Sequence, residues 1–432
     1  METHGVGIVG WGVVGSGAVE ILERERELLA GRCGIDFRLK AIVDVDLDTE
    51  RPVRPGPDTV IADDLTAILG DGSIDTVLHL VGGTTYARDI ALACLQAGKH
   101  VVTSNKALVA EHGDELFAAA RDHQAVIAYE AAVAGGIPVI AALREGLVAN
   151  RIQALHAILN GTCNFILTQM EERGMGFDDA VKLAQELGYA EADPSLDVDG
   201  VDTAHKLAIL ARIAFGRSVA FGDISVEGIR GITAADIASA KRLGCRIKLL
   251  AVAVPREADF ELRVAPCLVP LDHPVAGVSA NYNAVLADAH AAGPTLLVGQ
   301  GAGSLPTASA VIADLVDIAT GGYAEVAKRF SFFQPAERLA VCAENEEVTG
   351  SYARFTVKDE PGVLAKITGM LSDHGISILS VHQESPEDAD HAVVEVTTHR
   401  ARGANFFAAI HEIDGSGITT AETSTLRTLA MN

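Results

Sequence analysis

The chain has 432 residues, 49% hydrophobic and 21% charged, and its 34 Lys+Arg against 58 Asp+Glu give a formal charge of −24. That length suggests two or three domains, each able to bury a core of its own, and that charge, with no local basic patch, argues against nucleic acid and anionic lipid as partners. Six cysteines (Cys33, Cys94, Cys163, Cys245, Cys267, Cys342) stand singly with no CxxC pair and no histidine cluster beside them, which argues against a disulfide framework or a structural zinc and fits a reducing cytosol.

The opening "METHGVGIVGWG" enters a strand pattern at once, and no uncharged run reaches the roughly 18 residues a span requires, so neither export nor a membrane is expected. The pattern predicts a strand over Val6–Val9, a glycine turn, and a helix from about Ser16. Gly10, Gly12 and Gly15, with Val13 and Val14 between them, form GxGxxG in the strand-to-helix setting where a pyrophosphate binds: the glycines allow a tight turn and close backbone approach, and the helix start offers N–H groups. A second strand, "FRLKAIVDVD", ends at Asp44, whose carboxylate could accept the ribose hydroxyls of NAD and would repel the 2′-phosphate of NADP. With Asp46, Asp48 and Glu50 following, and a spacing from Gly15 above the usual ~20 residues, a solvated acidic loop is the competing reading.

"IDTVLHLVGG" and "KHVVTSNKALVA" each hold a short β-rich run, with "TTYARDIALACLQAG" between them as a helix closed by Gly98. Strand, helix, strand predicts a parallel doubly wound sheet with ligands beyond the carboxyl ends of its strands, where Gly82, Gly83, Thr103, Ser104 and Lys106 fall. The expected cofactor domain spans residues 1–130 and is completed by a helix at "PTASAVIADLVDIATGG", within about 305–340. Residues 131–304 alternate strands such as "RIQALHAIL" with helices such as "FDDAVKLAQEL" and "VDTAHKLAILARIAF", then turn β-rich, an α+β substrate and dimerisation domain.

"CAENEEVTG" reads as a polar linker. Beyond it, residues 350–432 predict a strand Tyr352–Lys358, a helix starting at Pro361 and stopped by Gly375, a strand, then strand, helix, strand: a small ferredoxin-like βαββαβ unit. It resembles the ACT domain family, whose loop is present as "DEPGVLAKI".

Six separated stretches, "GIVGWGVVGSG", "VVTSNKALVA", "YEAAVAGGIPVI", "LNGTCNFIL", "LGYAEADPSLDVDGVDTAHKLAIL" and "GAGSLPTASAVIADL", together resemble homoserine dehydrogenase over residues 1 to 340. The resemblance implies reversible NAD(P)H-dependent reduction of L-aspartate 4-semialdehyde to L-homoserine, on the route to threonine, methionine and isoleucine. It also implies a monofunctional enzyme with a regulatory ACT tail, at least a homodimer: a homodimer or a homotetramer.

On a helix over 201 to 215, Asp202 and Lys206 share a stripe with Ile209 and Ile213, leaving His205 and Arg212 as the polar edge. An i, i+4 pair on a solvated face is the bland reading, but a charge pair in an apolar stripe is costly to desolvate and suits a cleft, where burial could draw a lysine toward the working pH. The resemblance makes Lys206 the proton donor or acceptor, Asp202 its support or a substrate contact, and Lys106 the second lysine near cofactor and substrate; the residues alone do not choose between the two lysines.

By the same resemblance, Glu191 and Asp197 receive the substrate's ammonium, and Gly188 and Glu191 lie near the nicotinamide. Gly161 and Thr162 form a turn meeting substrate, and Gly301 and Gly303 touch the cofactor. The Glu130 carboxylate with the carbonyls of Val133, Gly135 and Ile137 holds a monovalent cation, Na+ or K+; oxygen ligands suit a hard ion. Asp359, Pro361, Gly362, Val363 and Leu364 form the effector loop, for which threonine is the candidate, although Ser377 stands where a family asparagine is common. Two competing readings are another ACT-bearing dehydrogenase, such as phosphoglycerate dehydrogenase, in which "GYAEADP" would have no counterpart, and a non-catalytic sensor of dinucleotide and amino acid.

Overall fold

The structure, a computed structural model, describes residues 1–329, 333, 337–384 and 391–429; the parts of the expected segments at 330–332, 334–336, 385–390 and 430–432 lie outside them. The chain divides into two compact units, Met1–Ala154 with Asp202–Asp223 and Tyr282–Leu339, and Leu155–Val201 with Ile224–Asn281 and Ala340–Asn432.

The first unit is built on a parallel sheet of β1 (Glu2–Val9), β2 (Ile35–Val43), β3 (Val60–Ala62), β4 (Thr76–His79), β5 (His100–Thr103) and β6 (Ile127–Ala128), in the order β3-β2-β1-β4-β5-β6. Val6, Ile8, Ile42, Val77, Leu78, Val101 and Val102 are fully buried, as strands covered on both faces require, and each such side chain contributes about 1.5–3 kcal/mol at most. Chain order reverses between β1 and β4, which opens a crevice at their carboxyl ends. β1 begins at Glu2 rather than Val6, because Glu2–Gly5 find partners along Ile35–Arg38. The helix Val13–Arg24 starts three residues earlier than expected. The helix Ser304–Ala319 packs against it where Gly17 lets the backbones meet: a Cβ there would lie 2.7 Å from the Ser304 carbonyl oxygen.

The second unit is a mixed sheet of β7 (Ile152–Ile158), β8 (Cys245–Pro255), β9 (Phe260–Pro270), β10 (Val348–Lys358), β11 (Ile378–Glu384), β12 (His391–Thr398) and β13 (Ser424–Thr428), running β7-β8-β9-β13-β10-β12-β11. Its last four strands are antiparallel in the ferredoxin-like order. The helices Val363–Asp373 and Gly403–Gly415 cover them through a core that includes Phe355, Ile367, Leu371, Val394, Phe406 and Ile413. β13 lies parallel to β9, pairing Cys267 with Arg427 and Leu268 with Thr428, so the C-terminal module continues the sheet of the preceding region.

Two local expectations change here. The helix begins at Val363, not Pro361: Gly362, at φ +91°, is its N-cap residue, and Pro361 sits in the turn before it. The stretch "CAENEEVTG" is no free spacer, since it holds a short 3-10 turn at Glu344–Glu346 and enters β10 at Val348, with Glu344 and Glu347 tied to Arg427. Among the described residues, no helix is long and apolar enough to cross a membrane.

Candidate active site

The helix Val201–Phe215 forms over the predicted residues, and eleven of its residues from Asp202 to Ile213 are buried. Asp202 is 6% exposed and stands between two lysines: Lys206 Nζ donates to one carboxylate oxygen at 2.6 Å, and Lys106 Nζ lies 2.8 Å from the other. Lys206 is 9% exposed, whereas the Lys106 side chain, at the first position of the helix Lys106–Asp122, is 41% exposed. Burial alone would push the Asp202 carboxyl up, but the charges of Lys206 and Lys106 and their hydrogen bonds outweigh it and hold it well below the usual carboxylate range. The cluster therefore carries an ionised carboxylate at neutral pH, with one lysine desolvated and one half in water.

The expected polar edge of this helix is not solvated. Arg212 is buried, pairs with Asp114 at 2.6 Å and lies 4.9 Å over the Phe117 ring, while His205 stacks on Phe221 and meets Glu111 at 3.2 Å. Arg212, Asp114, Glu111 and Phe221 line a cavity of about 370 Å³ beside Tyr129 and Arg338.

At the crevice, Gly10 has φ +97° and a Cβ on it would lie 2.7 Å from the Leu80 carbonyl oxygen; a Cβ on Gly15 would lie 2.2 Å from that of Gly10. Gly12 differs, because a Cβ there would meet nothing within 4 Å. The turn is thus tight at its two ends and leaves space at its middle. Val13 is exposed there, Val14 half-buried, and the Val13 carbonyl accepts from Ser304 Oγ at 2.8 Å. Gly82 and Gly83 are likewise open. Asp44, at the end of β2, accepts from the Trp11 N–H inside the glycine turn and from the Asp46 N–H. It lines a small cleft with Val9, Gly10, Val43, Val81 and Ile90. Arg51 packs 5.7 Å from the Trp11 ring centre and donates to the Asp46 carbonyl. Thr103 does not reach this crevice: it is buried, its hydroxyl engaged with His79 and with the Asn105 N–H, while Ser104 beside it is half-buried.

In the second unit, Asn160 caps the helix Gly161–Arg173, accepting from the Cys163 N–H at 2.8 Å and donating to Asp197 at 2.7 Å. Thr162 Oγ1 donates to the Tyr189 carbonyl at 2.6 Å, which ties Gly161 and Thr162 to the acidic loop. In that loop Gly188 has φ +73°, Glu191 is exposed and Asp197 is half-buried on the short helix Ser195–Val198.

The expected cation loop is buried, with Ala134 at φ +56° and Gly135 at +52° in succession. Both Glu130 carboxylate oxygens accept backbone N–H groups, from Ile140 and Ala141 at 2.8 Å each, which fixes the orientation of the carboxylate and leaves each oxygen a further lone pair. The Ile137 carbonyl accepts from Val139 N–H, while Gly135 approaches the Gly301 carbonyl so closely that a Cβ would come within 2.5 Å. Gly301 itself abuts Asn283, and Gly303, at φ +123°, starts the helix Ser304–Ala319. In the effector loop, Asp359, Pro361 and Gly362 are exposed, but Val363 is buried and Leu364 packs against the module's core.

Sequence reasoning missed Asn160 and Asp314. The first had a legible signal, an Asn just before an apolar helix. Asp314 had none: it reaches Glu130 N–H at 2.7 Å across 184 residues, and burial, with the Glu130 charge, pushes its carboxyl well up.

Family profiles described as the NAD binding domain of homoserine dehydrogenase, homoserine dehydrogenase and the ACT domain match residues 10–130, 138–316 and 351–415. A homoserine dehydrogenase of Pseudomonas aeruginosa is 45% identical over 429 residues, 96% of this chain and 97% of that one. The crystal structure of a homoserine dehydrogenase from Thiobacillus denitrificans has a TM-score of 0.93 at 41% identity, covering 100% of this chain and 99% of that one. A hyperthermophilic archaeal homoserine dehydrogenase mutant in complex with NADPH has a TM-score of 0.62 at 27% identity, over 74% of this chain and 98% of its own. Matches of this length and order show that the chain belongs to the homoserine dehydrogenase family, NAD(P)-dependent oxidoreductases that interconvert L-aspartate 4-semialdehyde and L-homoserine, here with a C-terminal ACT domain.

Proposed function

We propose that in this reaction Lys206 exchanges the proton with the substrate oxygen, Asp202 holds Lys206 and Lys106 in register, and Lys106 orients the substrate from the solvent side. The observation that carries this is the ionised Asp202 carboxylate bridging both lysines while only Lys206 is desolvated. A lysine removed from water and fixed by a carboxylate is suited to proton transfer, and a half-exposed one to receiving a polar substrate. Glu191 and Asp197 take the substrate ammonium by charge, and Thr162 with Gly161 keeps their loop in place.

The residues fit a dinucleotide: Gly12 leaves the space a pyrophosphate needs, between glycines that only a Cβ-free turn permits. When bound, the nicotinamide supplies the hydride to the aldehyde carbon or accepts it from the alcohol. Val13 and Val14 would flank that pyrophosphate in the turn, and Gly82, Gly83, Ser104, Gly188, Gly301 and Gly303 would border the cofactor. Asp44 favours NAD, and Arg51 beside it is the group that would receive a 2′-phosphate.

For a monovalent cation, Na+ or K+, the Glu130 carboxylate and the backbone carbonyls of Val133, Gly135 and Ile137 would be the donors; the consecutive left-handed residues Ala134 and Gly135 support a loop shaped for such a role. The loop from Asp359 to Leu364 is the effector site, with threonine as its candidate ligand. The exposed strand β11, presenting Leu379 and Val381, supports self-association, and six cysteines without a disulfide fit the cytosol.

The test is homoserine oxidation by Lys206→Ala and Lys106→Ala. Lys206→Ala should lower kcat by roughly 100- to 10,000-fold with dinucleotide affinity intact, and Lys106→Ala should act mainly on KM for homoserine. Wild-type kcat in Lys206→Ala would remove it from the proton path.

A further inference from the structure

The buried Arg427, on the last strand of the C-terminal module, gathers three acids from two places. Its Nε lies 3.1 Å from Glu347, Nη2 2.6 Å from Glu344 and Nη1 3.0 Å from Glu227. The first two begin the module; Glu227 belongs to the region that carries the substrate loop. The strand bearing Arg427 is also hydrogen-bonded to β9, and the Leu429 N–H donates to the Leu268 carbonyl at 2.9 Å.

Glu227 opens a segment that grips the helix Ser195–Val198. Its own N–H donates to the Val264 carbonyl on β9 at 2.8 Å. The next residue, Gly228, runs so close that a Cβ would lie 2.2 Å from the Val198 carbonyl oxygen, and the Ile229 N–H donates to that same oxygen at 2.8 Å. Arg230 then pairs with Asp199 and donates to Ser195 Oγ at 2.9 Å. Both ends of the short helix are therefore held by residues 228 to 230, and Asp197 lies between them, anchored on its other side by Asn160.

We propose that Arg427 and Glu227 are positioning residues: they form a strut that sets the placement of Asp197, so that the C-terminal module acts on recognition of the amino-acid substrate and not on the dinucleotide. The inference rests on the reading of Asp197 as a ligand of the substrate ammonium. A displacement of the last strand is carried by charge-assisted bonds to Glu227 and by close backbone packing to the helix that holds Asp197. With Glu344 and Glu347 still paired to Arg427, loss of the Glu227 charge leaves the module seated.

The experiment is steady-state kinetics of homoserine oxidation on the full chain, for wild type, Glu227→Gln, Glu227→Asp and Asp197→Asn. Glu227→Gln should raise KM for homoserine roughly 3- to 10-fold, with kcat, KM for the dinucleotide and melting temperature unchanged, and Glu227→Asp should restore much of the loss. A merely structural role would lower the melting temperature, or move kcat and both KM values together, and either pattern overturns the proposal. If Asp197→Asn raises KM for homoserine while Glu227→Gln does not, the strut is wrong and Asp197 stands. If Asp197→Asn leaves that KM unchanged, both fall.

Discussion

Replacing Asp202 by Asn tests the active cluster most directly, because shape is kept and only the charge is lost. The carboxylate is 6% exposed and contacts Lys206 at 2.6 Å and Lys106 at 2.8 Å. Breaking a buried ion pair from one side costs about 3–5 kcal/mol. Lys106, with 41% of its side chain exposed, can turn into water, so the cost falls mainly on Lys206, whose side chain is 11% exposed. We expect a loss of about 2–3 kcal/mol and a fall in melting temperature of roughly 4–10 °C, with kcat down by at least ~100-fold. Differential scanning fluorimetry and stopped-flow homoserine oxidation read the two effects. Adding Lys206→Met should recover much of the stability by removing the stranded charge, and none of the activity. An Asn variant as stable as wild type, turning over within about twofold of it, would refute the desolvated cluster. In acid the same carboxylate sets a direction: its folded pKa is lowered, so its contribution is full above the ordinary carboxylate value of 3.8 and is lost as pH falls below it.

Gly12→Val should leave the melting temperature unchanged, because the open space admits a side chain, yet raise KM for the dinucleotide at least ~10-fold by occupying the pyrophosphate's place. Asp44→Ala should move the NADP-to-NAD ratio of kcat/KM upward by about 10-fold or more, read in parallel initial rates; an unmoved ratio would make Asp44 only a brace for Trp11. His79 and His156 are both pushed down to about 4 by burial. The folded state then binds fewer protons than the unfolded one, so stability falls as pH drops from the ordinary 6.5 toward 4, by about 1.4 kcal/mol per histidine at pH 5.5. Urea midpoints from pH 7 to 5 check this slope, and His79→Gln should flatten it.

Local periodicity and turn chemistry settled much of this protein in advance. The helix Val201–Phe215 and the strand-turn-helix at Gly10–Gly15 depend on apolar spacing and on glycine's freedom at positive φ, both properties of contiguous residues. The pairing of Asp202 with Lys206 was legible for the same reason, since i and i+4 share a helix face. What lay beyond reach were partners distant in the chain. Arg212 reads as a polar edge until Phe117 and Asp114 cover it, and nothing near Glu130 in the sequence announces that Asp314 reaches its N–H.

The acid-rich stretch before Val348 shows the division most clearly. Its composition alone says solvated linker, and only folding brings Arg427, about 80 residues later, to Glu344 and Glu347. The order of elements, the glycine turn and the shared helix face of Asp202 and Lys206 were determined by the sequence, because secondary structure and capping are near-neighbour physics. Tertiary structure decided which charges are desolvated, which side chains are already satisfied, and that the C-terminal module shares a sheet with the region before it, because burial and pairing are properties of residues that meet only when the chain has closed on itself.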